Sequence, residues 1–347
     1  MRKTIAIAVF ILSAGLLLLS MNQSFINRIK QDRYFDHLNP PSAANRPLYY
    51  RLFVRSDRWR YGDLYGLCYL PEFKFKLAPF KKYEKALGKP LNKRSLYIIG
   101  DSFLADKTLN GAFEGFDDVI FLDRRFPIGP IILDTARENY LIMEFAERNL
   151  IGYELQKASA SNQPPTGMPA RLNKVIFNKD LSRNLELLLF DDKLVTPVKE
   201  LKAIINYKLF GRIAKEVAVS TDHSRLFLNA TVDTGNAQSA FRFKADADID
   251  LIAGNLGIAA NYYRSIGFKK VFLSVIPNAV SIYNAKRMPY NHLLERVEEK
   301  TGLPIIPLYD DFRNASQNVF YKSDAHWNPH GFELWVTETN RTIGTKP

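Results

Sequence analysis

Cysteine is nearly missing. Cys68 stands alone, which excludes an intrachain disulfide and any Cys-rich metal site. Neither Gly-x-x-x-x-Gly-Lys-Ser/Thr nor Gly-x-Gly-x-x-Gly occurs, so no phosphate-cradling nucleotide loop is indicated. There is no internal repeat. Zinc-finger spacing, Arg-rich arms and RNA-binding motifs are missing too, so the positive charge does not translate into a nucleic-acid partner. Histidine is scarce: His37, His223, His292, His326 and His330 are the whole set. Of these, His326 alone has a carboxylate two residues away, Asp324.

What is present reads as a globular α/β chain. Its 347 residues are 46% hydrophobic and 24% charged, enough for a full core and for one large domain with additions. Lys and Arg number 48 against 36 Asp and Glu, giving +12. A balance of that kind attracts polyanions or anionic surfaces. Met1-Arg-Lys precedes an uncharged apolar run from Thr4 to Ser20, the pattern of a signal-anchor or signal peptide. Residues 1–22 are therefore read as that segment, crossing the membrane through residues 4–20. No small-x-small cleavage site or lipoprotein cysteine follows. An uncleaved anchor with a periplasmic or extracellular body is favoured, with secretion after cleavage as the alternative.

Residues 23–90 form a basic, aromatic juxtamembrane segment broken by Pro40-Pro41, Pro47, Pro71 and Pro79. From residue 91 to 347 the rhythm is strand and helix. Leu96–Ile99, Asp118–Leu122, Tyr140–Phe145, Lys270–Ile276 and Ile305–Leu308 read as strands. Helices are expected at Ile131–Glu138, Asp248–Ile266 and Tyr290–Lys300, with another from Pro329. Alternation of this kind predicts a parallel sheet covered on both faces. The stretch at about 157–247 reads as an inserted α+β subregion. It carries a Pro/Ser-rich loop, a helical part from Asn184 to Ile213, and two strands, Arg225–Asn229 and Ala240–Lys244, of a hairpin or sheet edge.

The chemistry gathers at two short motifs. Gly100-Asp101-Ser102-Phe103 follows the first strand, which puts a hydroxyl at the carboxyl edge where open α/β sheets bind ligands. A helix beginning near Phe103 would aim backbone N–H groups at an oxyanion. Tyr321-Lys-Ser-Asp-Ala-His-Trp lies close to the C-terminus. There Asp324 can orient His326 and His326 can take the proton of Ser102, the arrangement a serine nucleophile needs. Trp327 would wall off water. Arg148, after the third strand, is a donor candidate for developing negative charge. Asn278, after the Lys270–Ile276 strand, is a candidate substrate contact.

Together these motifs resemble those of the GDSL/SGNH hydrolase superfamily. The Asp324-Ala-His326-Trp327 form is most similar to SGNH-like domains of alginate-type polysaccharide O-acetyltransferases. The resemblance implies a three-layer α/β/α, flavodoxin-like parallel sheet and a Ser-His-Asp triad that works through an acyl-enzyme. It implies no metal or organic cofactor. In that family a glycine after the second strand and an asparagine after the next complete the oxyanion hole. Gly129 and the Glu144–Asn149 stretch occupy comparable places, but Gly-x-Asn-Asp itself is missing.

The expected activity is that of an envelope esterase or O-acyltransferase on acyl, chiefly acetyl, esters. Its partners would be an acylated polysaccharide or other envelope glycan, and a membrane acyltransferase as acyl donor. The alternative is a catalytically silent SGNH-fold protein that binds glycan or a partner.

Overall fold

A computed structural model describes residues 2–22, 24–26, 60–85, 92–105, 107–125, 128–155, 179–190, 194–283 and 287–344. Most of the basic aromatic segment and the Pro/Ser-rich loop lie outside these residues. The chain divides into two compact units, 1–77 with 160–214 and 78–159 with 215–347. The expected insertion is thus shared: residues 160–214 belong to the first unit and 215–247 to the second.

The first unit is helical. Its N-terminal helix α1 (Arg2–Met21) is long and apolar enough to cross a membrane, with a mean hydropathy of 2.5. A short helix α2 (Asp63–Cys68) ends on Tyr69 in the left-handed conformation. Two further helices follow, α3 (Lys179–Phe190) and α4 (Thr196–Phe210), and Gly211 at φ 61° stops the latter. The Asn184 side chain on α3 donates to the Ser20 carbonyl at the end of α1, 2.9 Å away. Ile26 packs with Phe25 and Leu188 in the same unit.

The second unit holds a five-stranded sheet in which every pairing is parallel. Its strands are β1 (Arg94–Gly100), β2 (Asp118–Asp123), β3 (Glu138–Ala146), β6 (Lys270–Ile276) and β7 (Ile305–Ile306), in the order β2-β1-β3-β6-β7. A separate antiparallel hairpin joins β4 (Val217–Val219) to β5 (Leu226–Leu228). Counting only the strands of the large sheet, the order is 2-1-3-4-5, the doubly wound arrangement whose direction of winding reverses between β1 and β3.

Strand alternation explains the two cores. Tyr97 and Ile99 of β1 join Leu141, Met143 and Phe145 of β3 on one face. That face is covered by Ile249, Ile252, Leu256 and Tyr263 of α5 (Asp246–Ser265), whose three- and four-residue spacing makes one stripe. Leu96 and Ile98 point the other way, with Tyr140, Ile142 and Phe272. The short helices α6 (Ala279–Tyr283), α7 (Leu293–Thr301) and α8 (Tyr309–Asn314) precede the last helix, α9 (Pro329–Gly344). From α8 and α9, Phe312, Phe332, Trp335 and Val336 close this second face. Each fully buried side chain of this size contributes roughly 1.5–3 kcal/mol.

Three local expectations are corrected. Ile131–Glu138 is not a helix. Asp134 folds its backbone into a turn, its carboxylate accepting from the Ala136 N–H (2.9 Å) and its carbonyl accepting from the Asn139 side chain (2.9 Å). An aspartate caps turns of this kind more readily than it continues a helix. The hairpin forms from residues 217–219 and 226–228. Ser220 and Asp222 bind the turn between them, with the Ser224 N–H donating to the Ser220 hydroxyl. Residues 240–244 are not a strand. Finally, residues 102–105 after β1 form turns and no helix, so no helix dipole aims at Ser102.

Candidate active site

The first edge of the site is set by a buried aspartate. Asp101 sits directly after β1 and is 2% exposed. Its Oδ1 accepts from the Phe103 N–H (3.1 Å), its carbonyl from the Leu104 N–H (3.3 Å) and its Oδ2 from the Asn149 side chain (2.8 Å). These bonds fold the chain sharply and leave Ser102, between them, partly exposed. Asn149 lies in the single turn of 3₁₀ helix, Glu147–Asn149, that ends β3. Ser102 and Asn149 therefore stand at the carboxyl ends of β1 and β3, the reversal point where doubly wound sheets open a crevice.

Gly100 is required by a close approach. A Cβ there would lie 2.4 Å from Glu144 Oε2, the oxygen that accepts the Asp101 N–H at 2.8 Å. Glu144 is wholly buried, and burial, followed by the charge of Asp101, pushes its carboxyl well above the ordinary carboxylate range. Gly100→Ala is expected to break this contact and lower stability by about 1–3 kcal/mol, with a matching shift in the urea midpoint.

The second edge is the loop before α9. Its ends are clipped together by the bridge between Phe320 and Trp327, by the Asn328 N–H donating to the Val319 carbonyl (2.9 Å) and by the Asn328 side chain donating to the Asn318 carbonyl (2.6 Å). The hairpin braces it from outside. Leu226 N–H donates to the Lys322 carbonyl (2.8 Å), and buried Arg225, its guanidinium 3.5 Å from the Tyr283 ring centre, donates to Asn318 Oδ1 (2.6 Å). Tyr283 in turn accepts the Val319 N–H at 2.7 Å.

Within this loop buried Asp324 accepts from the His326 backbone N–H at 2.9 Å and pairs with His326 Nδ1 at 2.6 Å. His326 Nε2 lies 2.8 Å from Ser102 Oγ. With the proton on Nδ1, Nε2 is left as an acceptor, and the hydroxyl of Ser102 donates to it. The imidazole rests against Phe103, 4.9 Å between ring centres. Ser102, Asp324 and His326, separated by more than two hundred residues of chain, are thus in one line of hydrogen bonds.

The other candidates separate. Arg148 stands near the serine turn, its guanidinium 5.5 Å from the Phe103 ring centre. Gly129 lies in an exposed stretch, with nothing within 4 Å of where its Cβ would be; no described contact brings it to Ser102. Trp327 is wholly buried, edge-on to Phe103 (5.3 Å) and beside Trp335 (5.6 Å). It supports the serine and histidine turns from beneath and does not meet a substrate. Asn278 is 3% exposed. Its backbone N–H donates to Glu147 Oε2 at 2.7 Å, and its side-chain amide is buried without a hydrogen-bond partner among the described residues.

Glu147 lies in the Glu144–Asn149 stretch that the sequence places at this edge, and the structure buries it completely. It also accepts from the Ser281 and Tyr290 hydroxyls (3.0 and 3.1 Å). Burial pushes its carboxyl up from 4.5 to about 7 against the lowering pull of these donors. With the folded value above the unfolded one, the protonated form's contribution is complete below about 4.5 and is lost as pH rises to about 7. Glu147→Gln should therefore gain stability relative to the wild type between pH 5 and 8, by roughly 2–3 kcal/mol. Unfolding in urea across that range measures it.

A serine hydroxyl bonded to an imidazole that a buried carboxylate orients, at the open edge of a parallel sheet, is equipped for nucleophilic acyl chemistry. Comparison with protein-family models, with curated proteins and with solved structures finds no match, so the geometry of the site is what bears on function.

Proposed function

We propose that this chain is a serine-dependent acyl-ester enzyme of the SGNH type, an esterase or O-acyltransferase acting on the acyl groups of an envelope polysaccharide. The observation that carries the proposal is His326 bridging Ser102 (2.8 Å) and Asp324 (2.6 Å). The position of Ser102 after β1, the C-terminal Asp-His loop and the strand order all fit the SGNH reading.

In this mechanism His326 Nε2 takes the Ser102 proton as Oγ adds to the ester carbonyl. Asp324 steadies the imidazolium that forms. The tetrahedral oxyanion collapses, the ester C–O bond breaks, and the alcohol leaves with the proton from His326. The acyl group is then on Ser102. Water, deprotonated by His326, releases a carboxylic acid; a sugar hydroxyl in its place receives the acyl group.

Donors for the oxyanion come from this chain's own edge. The Ser102 backbone N–H is one. Asn149, whose side chain Asp101 holds, offers the second hydrogen of its amide, and Arg148 adds positive charge. Asn149 takes the role that Gly-x-Asn-Asp plays in the family. The envelope location rests on α1 and on the net charge of +12, which suits an acidic glycan or an anionic surface. Acyl groups for transfer would come from a separate membrane acyltransferase.

The test uses the full chain in detergent with p-nitrophenyl acetate and with an acetylated polysaccharide. Acetate release that Ser102→Ala removes is the expected result. Acyl transfer to added deacetylated glycan would then select transferase over hydrolase. Binding of glycan with no turnover of any ester would overturn the enzymatic reading and leave the silent binding protein.

A further inference from the structure

The helix α4 is amphipathic in the wrong sense for a soluble protein. The side it turns towards its own unit is largely polar. Glu200 accepts from the Tyr65 hydroxyl and pairs with Lys74 at 2.9 Å, and Lys199 Nζ lies 3.2 Å from the Tyr69 hydroxyl. Ala203, Asn206 and Tyr207 share that half-buried side. The opposite side carries Val198, Leu201, Ile205 and Leu209, which recur every three or four residues and are 65, 58, 42 and 73% exposed. Ile204, also exposed, widens the stripe. An apolar stripe of this breadth normally faces a core, and a contiguous exposed one marks a surface that something apolar covers.

The same unit points to what covers it. Its α1 is apolar enough to span a bilayer and is joined to α3 through Asn184 and Ser20. In the same unit Leu189 and Phe190 at the end of α3, and Leu194 before α4, are exposed too. Lys202 and Lys208 border the stripe, both exposed. Apolar side chains flanked by cations are what an interfacial helix presents to anionic lipid.

We propose that α4 is a second membrane contact: its Val198–Leu209 stripe lies in the interface of an anionic bilayer, with Lys202 and Lys208 at its borders meeting the lipid phosphates. The contact would hold the helical unit flat on the membrane that α1 enters. It depends on α1 inserting and is independent of the serine chemistry, so an inert Ser102 would leave it standing.

The test places an environment-sensitive fluorophore on Leu201→Cys and, separately, on Ile205→Cys in the full chain, reconstituted into phosphatidylglycerol vesicles. Native Cys68 is buried, and burial pushes its thiol up to about 11, so it stays out of the labelling reaction at neutral pH. Both positions are exposed, so the substitutions spare the fold. Quenching by a nitroxide on the lipid chains should exceed quenching by aqueous iodide at least about twofold at both sites. The lipid quenching should weaken in phosphatidylcholine vesicles, and Lys202→Glu with Lys208→Glu should abolish that lipid preference. Quenching by iodide alone would mean that the stripe faces water, and protection from both quenchers would mean that protein covers it. Equal lipid quenching in the two lipids would remove the anionic headgroup. Each of these results overturns the proposal.

Discussion

Ser102→Ala is expected to lower kcat for p-nitrophenyl acetate by about 10³–10⁵, and His326→Ala by a similar factor. The two act as one unit, since the hydroxyl attacks only as its proton moves to Nε2, 2.8 Å away. The double variant should therefore be no slower than either single one, within about threefold, whereas independent contributions would multiply. Asp324 acts through His326. Asp324→Asn leaves the loop the same size but offers Nδ1 an amide, and it should cost roughly 10²–10⁴ in kcat with little change in KM. Circular dichroism and urea midpoints close to wild type for Ser102→Ala would locate the loss in chemistry. Steady-state rates on the four proteins settle whether the factors multiply.

Gly331→Ala should be the most damaging single methyl in the second unit. A Cβ at Gly331 would sit 2.2 Å from the Val319 carbonyl oxygen and 3.1 Å from Trp327 Cβ. The first is backbone, and it already accepts the Asn328 N–H that closes the Asp-His loop. Relief would require α9 to shift against that loop, and α9 carries Phe332, Trp335 and Val336 into the core. Overpacking against backbone is expected to cost about 3 kcal/mol or more, read as a fall in the urea midpoint. Because Asp324 and His326 ride on the same loop, kcat should fall as well, in protein that remains folded at low temperature. A Gly331→Ala variant within about 0.5 kcal/mol of wild type would show that the loop tolerates displacement.

The parts of the fold that were legible in the sequence share a physical cause. Leu96–Ile99 and Val271–Ile276 are nearly continuous apolar runs because parallel strands are covered on both faces. Gly267 and Gly302, at φ 115° and 60°, mark the ends of helices that the pattern already located. Asp324 and His326 were legible because one loop holds both. What could not be read depends on neighbours distant in the chain. The Ile131–Glu138 stretch has the polarity of a helix, yet Asp134 spends its oxygens on a turn that also serves Asn139. Glu144 and Glu147 look like the solvated end of a strand, but Asp101, Asn278, Ser281 and Tyr290 bury them. Asn149 lies in the stretch that the sequence already compares with the oxyanion-hole asparagine, but the partner that fixes its amide, Asp101, is forty-eight residues away in the chain.

The inserted stretch likewise shows a role only in three dimensions. Its hairpin stands behind the Asp-His loop, where Arg225 and Leu226 hold Asn318 and Lys322. The geometry makes residues 217–228 a brace for the loop that carries Asp324 and His326.

The central claim is that His326 activates Ser102 as a nucleophile. Its most direct test is covalent capture: the full chain is exposed to a fluorophosphonate, digested, and searched by mass spectrometry for the phosphonylated peptide. The account predicts one adduct, on Ser102, forming rapidly in the wild type and slowed by at least about a hundredfold in His326→Ala. No adduct on Ser102, or one that forms as fast without the imidazole, would contradict it.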